Sequence, residues 1–262
     1  MPEADAADLA LLEAAAREAG RIALRHFAGS RDARDKPDGQ GPVTEADLEV
    51  DAALREILIA ARPEYGWLSE ESPDGPARLA AERAFIVDPI DGTRAFVAGR
   101  HAWGHSLAIA ERGRVIAGVV HMPKLERTYA AASGQGATCN GARIEASRRS
   151  DPDGAEVLAN RTQMEPGFWP GGVPDLRRHF RPSIAYRMCL AAAGRFDAML
   201  TFRDAWEWDI AAGALIAREA GAVVTDRLGR PPVFNNPVPQ LAGIIVAGPE
   251  LHAGLMARLP AT

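Results

Sequence analysis

Ala84-Phe85-Ile86-Val87-Asp88-Pro89-Ile90-Asp91-Gly92-Thr93 is the stretch on which the reading of this chain turns. Four apolar residues in a row predict a buried strand, and that strand delivers two carboxylates to its C-terminal end. In open α/β sheets ligands collect at that end. Two aspartates three positions apart around a proline suit neither a helix nor a continued strand. They suit a rigid platform for a hard cation, which takes oxygen ligands. Gly92 lets the backbone approach a ligand closely. Thr93 adds a hydroxyl and a free amide at a helix start, where an anion is favoured. The competing reading is a plain turn, because Asp-Pro and Asp-Gly are common turn dipeptides.

Two more acidic clusters bear on that choice. Glu70 and Glu71 follow the short apolar segment Tyr65-Gly66-Trp67, and an acidic pair at a strand end is usually a solvated edge. Asp209 stands in Trp206-Glu207-Trp208-Asp209 at the start of a helical pattern that runs to Ala220. A helix-start aspartate serves equally as an N-cap. Asp47 has the same ambiguity: with Thr44 it resembles a capping box, with Asp in the usual Glu position.

The rest of the chain alternates in a way that divides it in two. Residues 5–28 read as an amphipathic helix with Leu9, Leu12, Ala16, Ala19, Ala23 and Phe27 on one face. A loop at 29–42 carries Lys36 and Asp38, and a helix follows from Thr44 to about Ala61 with Leu48, Ala52, Ile57 and Leu58 inward. A short helix is expected at 76–82, a β-hairpin at 106–121 and a strand at 127–132. The polar run Ser147–Gly154 is the best linker, so the halves are 1–148, of α+β type, and 149–262, of α/β type. The second half reads as strand 155–160, a Pro/Gly-rich loop, helix 175–180, strand 184–186 leading into helix 187–193, strand 196–201, helix 208–220, strands 222–225 and 242–247, and helix 249–258.

Composition is that of a globular protein: 262 residues, 47% hydrophobic and 25% charged. A formal net charge of -5 argues against binding a nucleic acid polymer, although bound divalent ions let an acidic protein take a small anion. Only Cys139 and Cys189 are present, so a reducing cytoplasm is expected and no disulfide framework. The acidic start Met1-Pro2-Glu3-Ala4-Asp5 has no signal-peptide pattern, and no apolar run is long enough to span a membrane.

Taken together, Asp88-Pro89-Ile90-Asp91-Gly92-Thr93 with Phe96, Glu70-Glu71-Ser72, Val43-Thr44-Glu45-Ala46-Asp47 and Trp208-Asp209-Ile210-Ala211-Ala212-Gly213 with Glu219-Ala220-Gly221 resemble the inositol monophosphatase superfamily of metal-dependent phosphomonoesterases. The motifs occur in the family's order along nearly the whole chain. Ser69 and Ala222 depart from the family's usual glycines. The resemblance implies a layered αβαβα sandwich and a homodimer. It implies that Glu70, Asp88 and the Ile90 carbonyl hold one Mg²⁺, that Asp88, Asp91 and Asp209 hold a second, and that a third, weaker ion uses Glu70. It further implies that the Gly92 and Thr93 amides cradle the phosphate, with Asp91 and Asp209 also at the substrate. Glu70 and Thr93 would then activate the attacking water, and Asp47 would orient the Thr93 hydroxyl. Such chemistry needs many acids, because two close divalent ions that stabilise the attacking and leaving oxygens require compensating negative charge. Asp91→Asn is accordingly expected to abolish turnover with the fold intact, as a change at the surface.

Substrate identity is less legible. In the inositol-specific branch a glutamate shortly before the Trp-Asp motif contacts ring hydroxyls; the aligned position here is Thr201 or Phe202, with Asp204 close by. Phe202 or Trp206 offers a surface on which a base stacks, and Arg187 or Arg203 a partner for a second phosphate. These features resemble the bacterial branch that acts on 3'-phosphoadenosine 5'-phosphate. Inositol 1-phosphate is the alternative, and histidinol phosphate and sugar phosphates are further ones.

Overall fold

The computed structural model describes residues 2–27, 33–35 and 42–260. Two sheets dominate it. The first has seven strands in chain order: β1 (Gly66–Ser69), β2 (Arg83–Asp91), β3 (Gly104–Glu111), β4 (Arg114–Met122), β5 (Arg127–Ala132), β6 (Ala137–Cys139) and β7 (Ala142–Arg143). All neighbours are antiparallel except β1 and β2. The second comprises β8 (Glu156–Ala159), β9 (Arg177–His179), β10 (Ala198–Thr201), β11 (Val223–Thr225) and β12 (Ile244–Ala247), in the order β9-β8-β10-β12-β11.

Helices fill the layers between and outside the sheets. α1 (Pro2–Phe27) and α2 (Glu45–Ala61) cover the outer face of the first sheet, and the short α3 (Ala77–Ala80) and α4 (Thr93–Val97) flank its strands. α5 (Ile184–Ala192) and α6 (Glu207–Glu219) pack against each other between the sheets. α7 (Pro249–Met256) closes the far face of the second sheet through Leu251 and Leu255. The result is the expected αβαβα sandwich. One apolar cluster runs from Leu68 and Ile86 through α5 and α6 to Val246, so residues of both halves share a core. No helix among the described residues is long and apolar enough to cross a membrane.

Tertiary packing overrides three sequence expectations. Residues 175–180 are not a helix: Arg177–His179 form the edge strand β9, parallel to β8 with Glu156 opposite Arg177. Residues 184–186 are not a strand but the first turn of α5, where the Ser183 hydroxyl accepts a hydrogen bond from the Tyr186 amide at 2.9 Å. From Ala185 to Ala192 every α5 residue is buried, so no polar face marks its period. The inward stripe of α2 is Ala46, Val50, Leu54 and Leu58; Leu48 is 52% exposed and Ala52 also faces outward. The helix is rotated because Asp47 and Asp51, one turn apart, bury themselves toward the site.

The seat of α6 depends on a missing side chain. A Cβ on Gly118 in β4 would lie 3.1 Å from Ala212 Cα and 3.2 Å from its carbonyl oxygen. The helix backbone thus rests on the strand. Gly118→Val is expected to lift α6, cost about 1–3 kcal/mol and lower the melting temperature; an unchanged melting curve would contradict this packing.

Candidate active site

The Asp-Pro-Ile-Asp segment does continue the strand, contrary to the sequence expectation, but only by breaking its register. Asp88 pairs with Ser106 and Asp91 with Gly104, so three steps along β2 match two along β3. In a regular strand residues three apart point to opposite faces; the extra residue turns both carboxylates to the same side. Pro89 gives no amide to the ladder, and its carbonyl accepts a hydrogen bond from His105 Nδ1 at 2.5 Å. Burial pushes the His105 imidazole down to about 3, so this bond is made by the neutral ring. Gly92 then turns the chain with φ 95°, and a Cβ there would meet the Ala102 carbonyl at 3.2 Å.

Asp88, Asp91 and Asp209 converge, each offering an oxygen within 4.8 Å of the others. Asp209 is not an N-cap: Trp206 holds that position, and Asp209 lies in the first turn of α6. The Ser106 hydroxyl donates to the Trp208 carbonyl at 2.9 Å and ties that turn to the strand beside Asp88. Burial raises the Asp88 and Asp209 carboxyls well above the usual carboxylate range, and the charges of Glu70 and Asp91 raise both further. Asp91 is pushed up to about 6 by burial, against the pull of its hydrogen bonds. Asp88 Oδ1 is buried with no partner. Mutually repelling carboxylates around an orphaned oxygen fit a divalent, oxygen-seeking cation.

Asp91 is not at the surface, as the sequence reading had it. It is 6% exposed and accepts from Ser183 Oγ at 2.5 Å and from the amides of Ala185 at 2.7 Å and Ile184 at 3.3 Å. One carboxylate therefore serves the acidic cluster and anchors the start of α5.

Asp47 has a different partner on each oxygen. Oδ2 accepts from the Thr44 amide at 2.8 Å and the Thr44 hydroxyl at 2.5 Å, completing a capping box. Oδ1 lies 3.3 Å from Thr93 Oγ1, which is also 3.0 Å from the Ile90 carbonyl. Asp47→Asn keeps only one side as an acceptor. It is expected to lower kcat by roughly a hundredfold, within the usual range for proton-transfer partners, with a cap-sized loss of stability of about 1 kcal/mol. Full kcat in that variant would separate Asp47 from the chemistry.

Glu70 follows β1 and lines the same cleft. Its backbone amide donates to Val87 at 3.2 Å, beside Asp88. The departure at Ser69 has a local role: its hydroxyl donates to Asp51 Oδ1 at 2.5 Å and accepts from the Glu71 amide at 3.3 Å, while Ser72 donates to Asp51 Oδ2. Asp51 thus pins both flanks of the Glu70-Glu71 pair.

The cleft has a volume of about 450 Å³, and Glu70, Asp88, Ile90, Asp91, Gly92, Thr93 and Asp209 all line it. Phe180, Pro182 and Arg187 line it as well. Several sequence candidates lie elsewhere. Phe202 is buried at 3% exposure, with its ring 5.4 Å from Trp169 and 5.2 Å from Phe168, so it cannot stack on a base. Thr201 is buried in β10. Trp206 stacks on Trp208 at 4.7 Å and 8°. Arg203 is exposed outside the cleft lining, and Asp204 pairs with Arg227 at 2.8 Å. Lys36 and Asp38 lie outside the described residues. Cys139 and Cys189 are free thiols. Sequence reasoning missed Ser183, Asp51, His105 and Phe180. Only Ser183 carried a signal, as a cap before an apolar run.

With this geometry in place, comparison with known proteins is specific. A profile of the inositol monophosphatase family matches residues 6–261. The inositol-1-monophosphatase of Rhizobium meliloti is 34% identical over 79% of this chain and 78% of its own length. The fructose-1,6-bisphosphatase/inositol-1-monophosphatase of Thermotoga maritima is 32% identical, covering 82% of each. Among solved structures, the suhB protein of Bartonella henselae superposes with a TM-score of 0.81 at 26% identity, covering 96% of this chain and 98% of that one.

Proposed function

Because the chain belongs to the inositol monophosphatase family, a family of phosphatases, we propose that it hydrolyses a small phosphate monoester with Mg²⁺ at the Asp88–Asp91–Asp209 cluster. The observation that carries this reading is the convergence of those three carboxylates within 4.8 Å, on the wall of a cleft that also contains Glu70 and Thr93. Asp88, Asp91 and Asp209 would hold one ion, Glu70, Asp88 and the Ile90 carbonyl another, and Glu70 a third. When bound, the ions supply Lewis acidity and the positive charge that a phosphate dianion needs to meet a nucleophile.

The chain's own groups do the rest. Glu70 takes the proton of the attacking water. The Thr93 hydroxyl, between Asp47 Oδ1 and the Ile90 carbonyl, points its proton at these acceptors and leaves a lone pair to orient the water. The Gly92 and Thr93 amides cradle the phosphate. Asp91 and Asp209 face the leaving group.

The finer substrate reading is 3'-phosphoadenosine 5'-phosphate. It is supported by the cationic Arg187 in the cleft wall; Phe202 is buried outside the cleft and gives no stacking surface. Inositol 1-phosphate is the second reading, favoured by the names of the relatives. A cytoplasmic homodimer built of the halves 1–148 and 149–262 completes the proposal, and a monomeric mass in sedimentation would remove the dimer.

Phosphate release from a panel of monoesters, with Mg²⁺ and after chelation, tests the function. Release that requires Mg²⁺ is expected. Release that survives complete chelation would overturn the metal assignment, and none from any ester would overturn the phosphatase.

A further inference from the structure

Arg187 lines the cleft but takes no part in the hydrolytic step. It sits in the first turns of α5, is 3% exposed and lines the cleft together with Asp91 and Asp209. Its Nε donates to the Ser183 carbonyl at 3.3 Å, and its guanidinium lies 5.7 Å from the centre of the Phe180 ring. Nη1 is buried with no hydrogen-bond partner.

A guanidinium whose task was to neutralise the acidic cluster would be ion-paired with it, and among the described residues no such pair exists within 4.0 Å. A buried unpaired N–H is costly, by roughly 1–3 kcal/mol, so its retention beside a cleft points to an acceptor that arrives from outside. Burial lowers the Arg187 guanidinium from its ordinary value and the nearby Asp91 and Asp209 oppose that shift; an arginine stays cationic under it. Arg94 and Arg100 line the same cleft, are exposed and have no carboxylate partner among the described residues. Phe180, 47% exposed and also lining the cleft, packs its ring against the guanidinium. Gly92 and Thr93, whose amides are proposed to hold the hydrolysed phosphate, line the same cleft as Arg187, so an ester seated there can bring a second anionic group to the guanidinium.

We propose that Arg187, braced by Phe180, is a specificity-determining residue that binds a second anionic group on the leaving group, so that the enzyme prefers esters with two anionic ends. This rests on the phosphatase reading of the same cleft. A second phosphate and a carboxylate share the required chemistry, a planar or tripod set of oxygens that a guanidinium grips through two N–H groups.

The test uses matched pairs that differ only in the second anion: 3'-phosphoadenosine 5'-phosphate against adenosine 3'-phosphate, fructose 1,6-bisphosphate against fructose 1-phosphate, and 2-phosphoglycerate against glycerol 2-phosphate. The wild-type kcat/KM ratio within at least one pair is expected to favour the doubly charged ester. Arg187→Gln should collapse that ratio by about tenfold or more, mainly through KM, and Arg187→Lys should restore part of it. The phosphate pairs and the glycerate pair tell the two sources apart. A purely structural Arg187 would lower both members of a pair together and leave the ratio intact, which would overturn the assignment. So would a wild-type enzyme with no preference in any pair. Release from none of the six esters would instead remove the phosphatase reading, and this assignment with it. Phe180→Ala, at an exposed position, gives an independent variant that does not burden folding, and it should lower the same ratio.

Discussion

Asp88→Asn is expected to reduce phosphate release by at least about a thousandfold, roughly 4 kcal/mol of transition-state stabilisation, and to leave the metal-free protein as stable as its parent or more so. The two halves of this expectation have one cause. Asp88 is buried, one of its oxygens has no partner, and the charges of Glu70, Asp91 and Asp209 bear on it. Without a cation such a carboxylate opposes folding; with one it would serve as a ligand. Asparagine has nearly the same shape, removes the charge and cannot replace it toward a divalent ion. Asp91→Asn is a poorer probe than the sequence suggested, because Asp91 also accepts from Ser183, Ile184 and Ala185. An amide there would loosen α5 as well as the metal cluster. Phosphate-release kinetics and chelated melting curves of the Asp88 variant decide the matter. Near-normal turnover would remove Asp88 from the site, and a large drop in metal-free stability would show that its charge is compensated by something other than a cation.

How much of this was legible beforehand follows from the kind of information each residue carries. The order of the acidic motifs is local, and Asp88, Asp91, Glu70 and Asp209 were found from it. Their convergence is not local: it needs the register shift between Asp88 and Asp91 that puts both on one side, and the contact of Gly118 with Ala212 that seats α6. Asp47 was ambiguous because a cap and an orienting carboxylate have the same sequence signature; only coordinates show that its two oxygens have different partners. Arg177–His179 read as a helix because their charges gave no strand alternation, yet an edge strand needs only a partner, and β8 supplies it. Phe202 and Phe180 exchange roles for a similar reason. Both are aromatic residues near the motifs, and burial alone decides that Phe202 fills the core with Trp169 while Phe180 faces the cleft.

The metal-free protein is expected to lose stability as pH rises above about 6.5, and Mg²⁺ is expected to restore more stability the higher the pH. Asp88, Asp91 and Asp209 all hold their protons in the fold to higher pH than in the unfolded chain, where an aspartate ionises near 3.9. Over the interval between those values the folded state binds more protons than the unfolded one, so stability falls with rising pH. Glu207, whose carboxyl burial also raises, acts in the same direction. The histidines act oppositely. His105 is pushed down to about 3 and His121 to about 4, and His252 is lowered too, all by burial. The unfolded chain therefore binds their protons up to about 6.5, and their contribution makes stability rise with pH below that value. Above it the histidines are neutral in both states, and the acidic cluster with Glu207 sets the slope. Cation binding requires the ionised carboxylates, so the Mg²⁺-induced rise in melting temperature must steepen over the same range. Asp88→Asn should flatten both trends, since it removes one of the charges that burial opposes. Melting curves with chelator and with Mg²⁺ across this range measure all three slopes. A metal-free melting temperature that climbs above pH ~6.5, or a Mg²⁺ shift that ignores pH, would mean that these carboxylates are already neutralised within the fold and are not waiting for a cation.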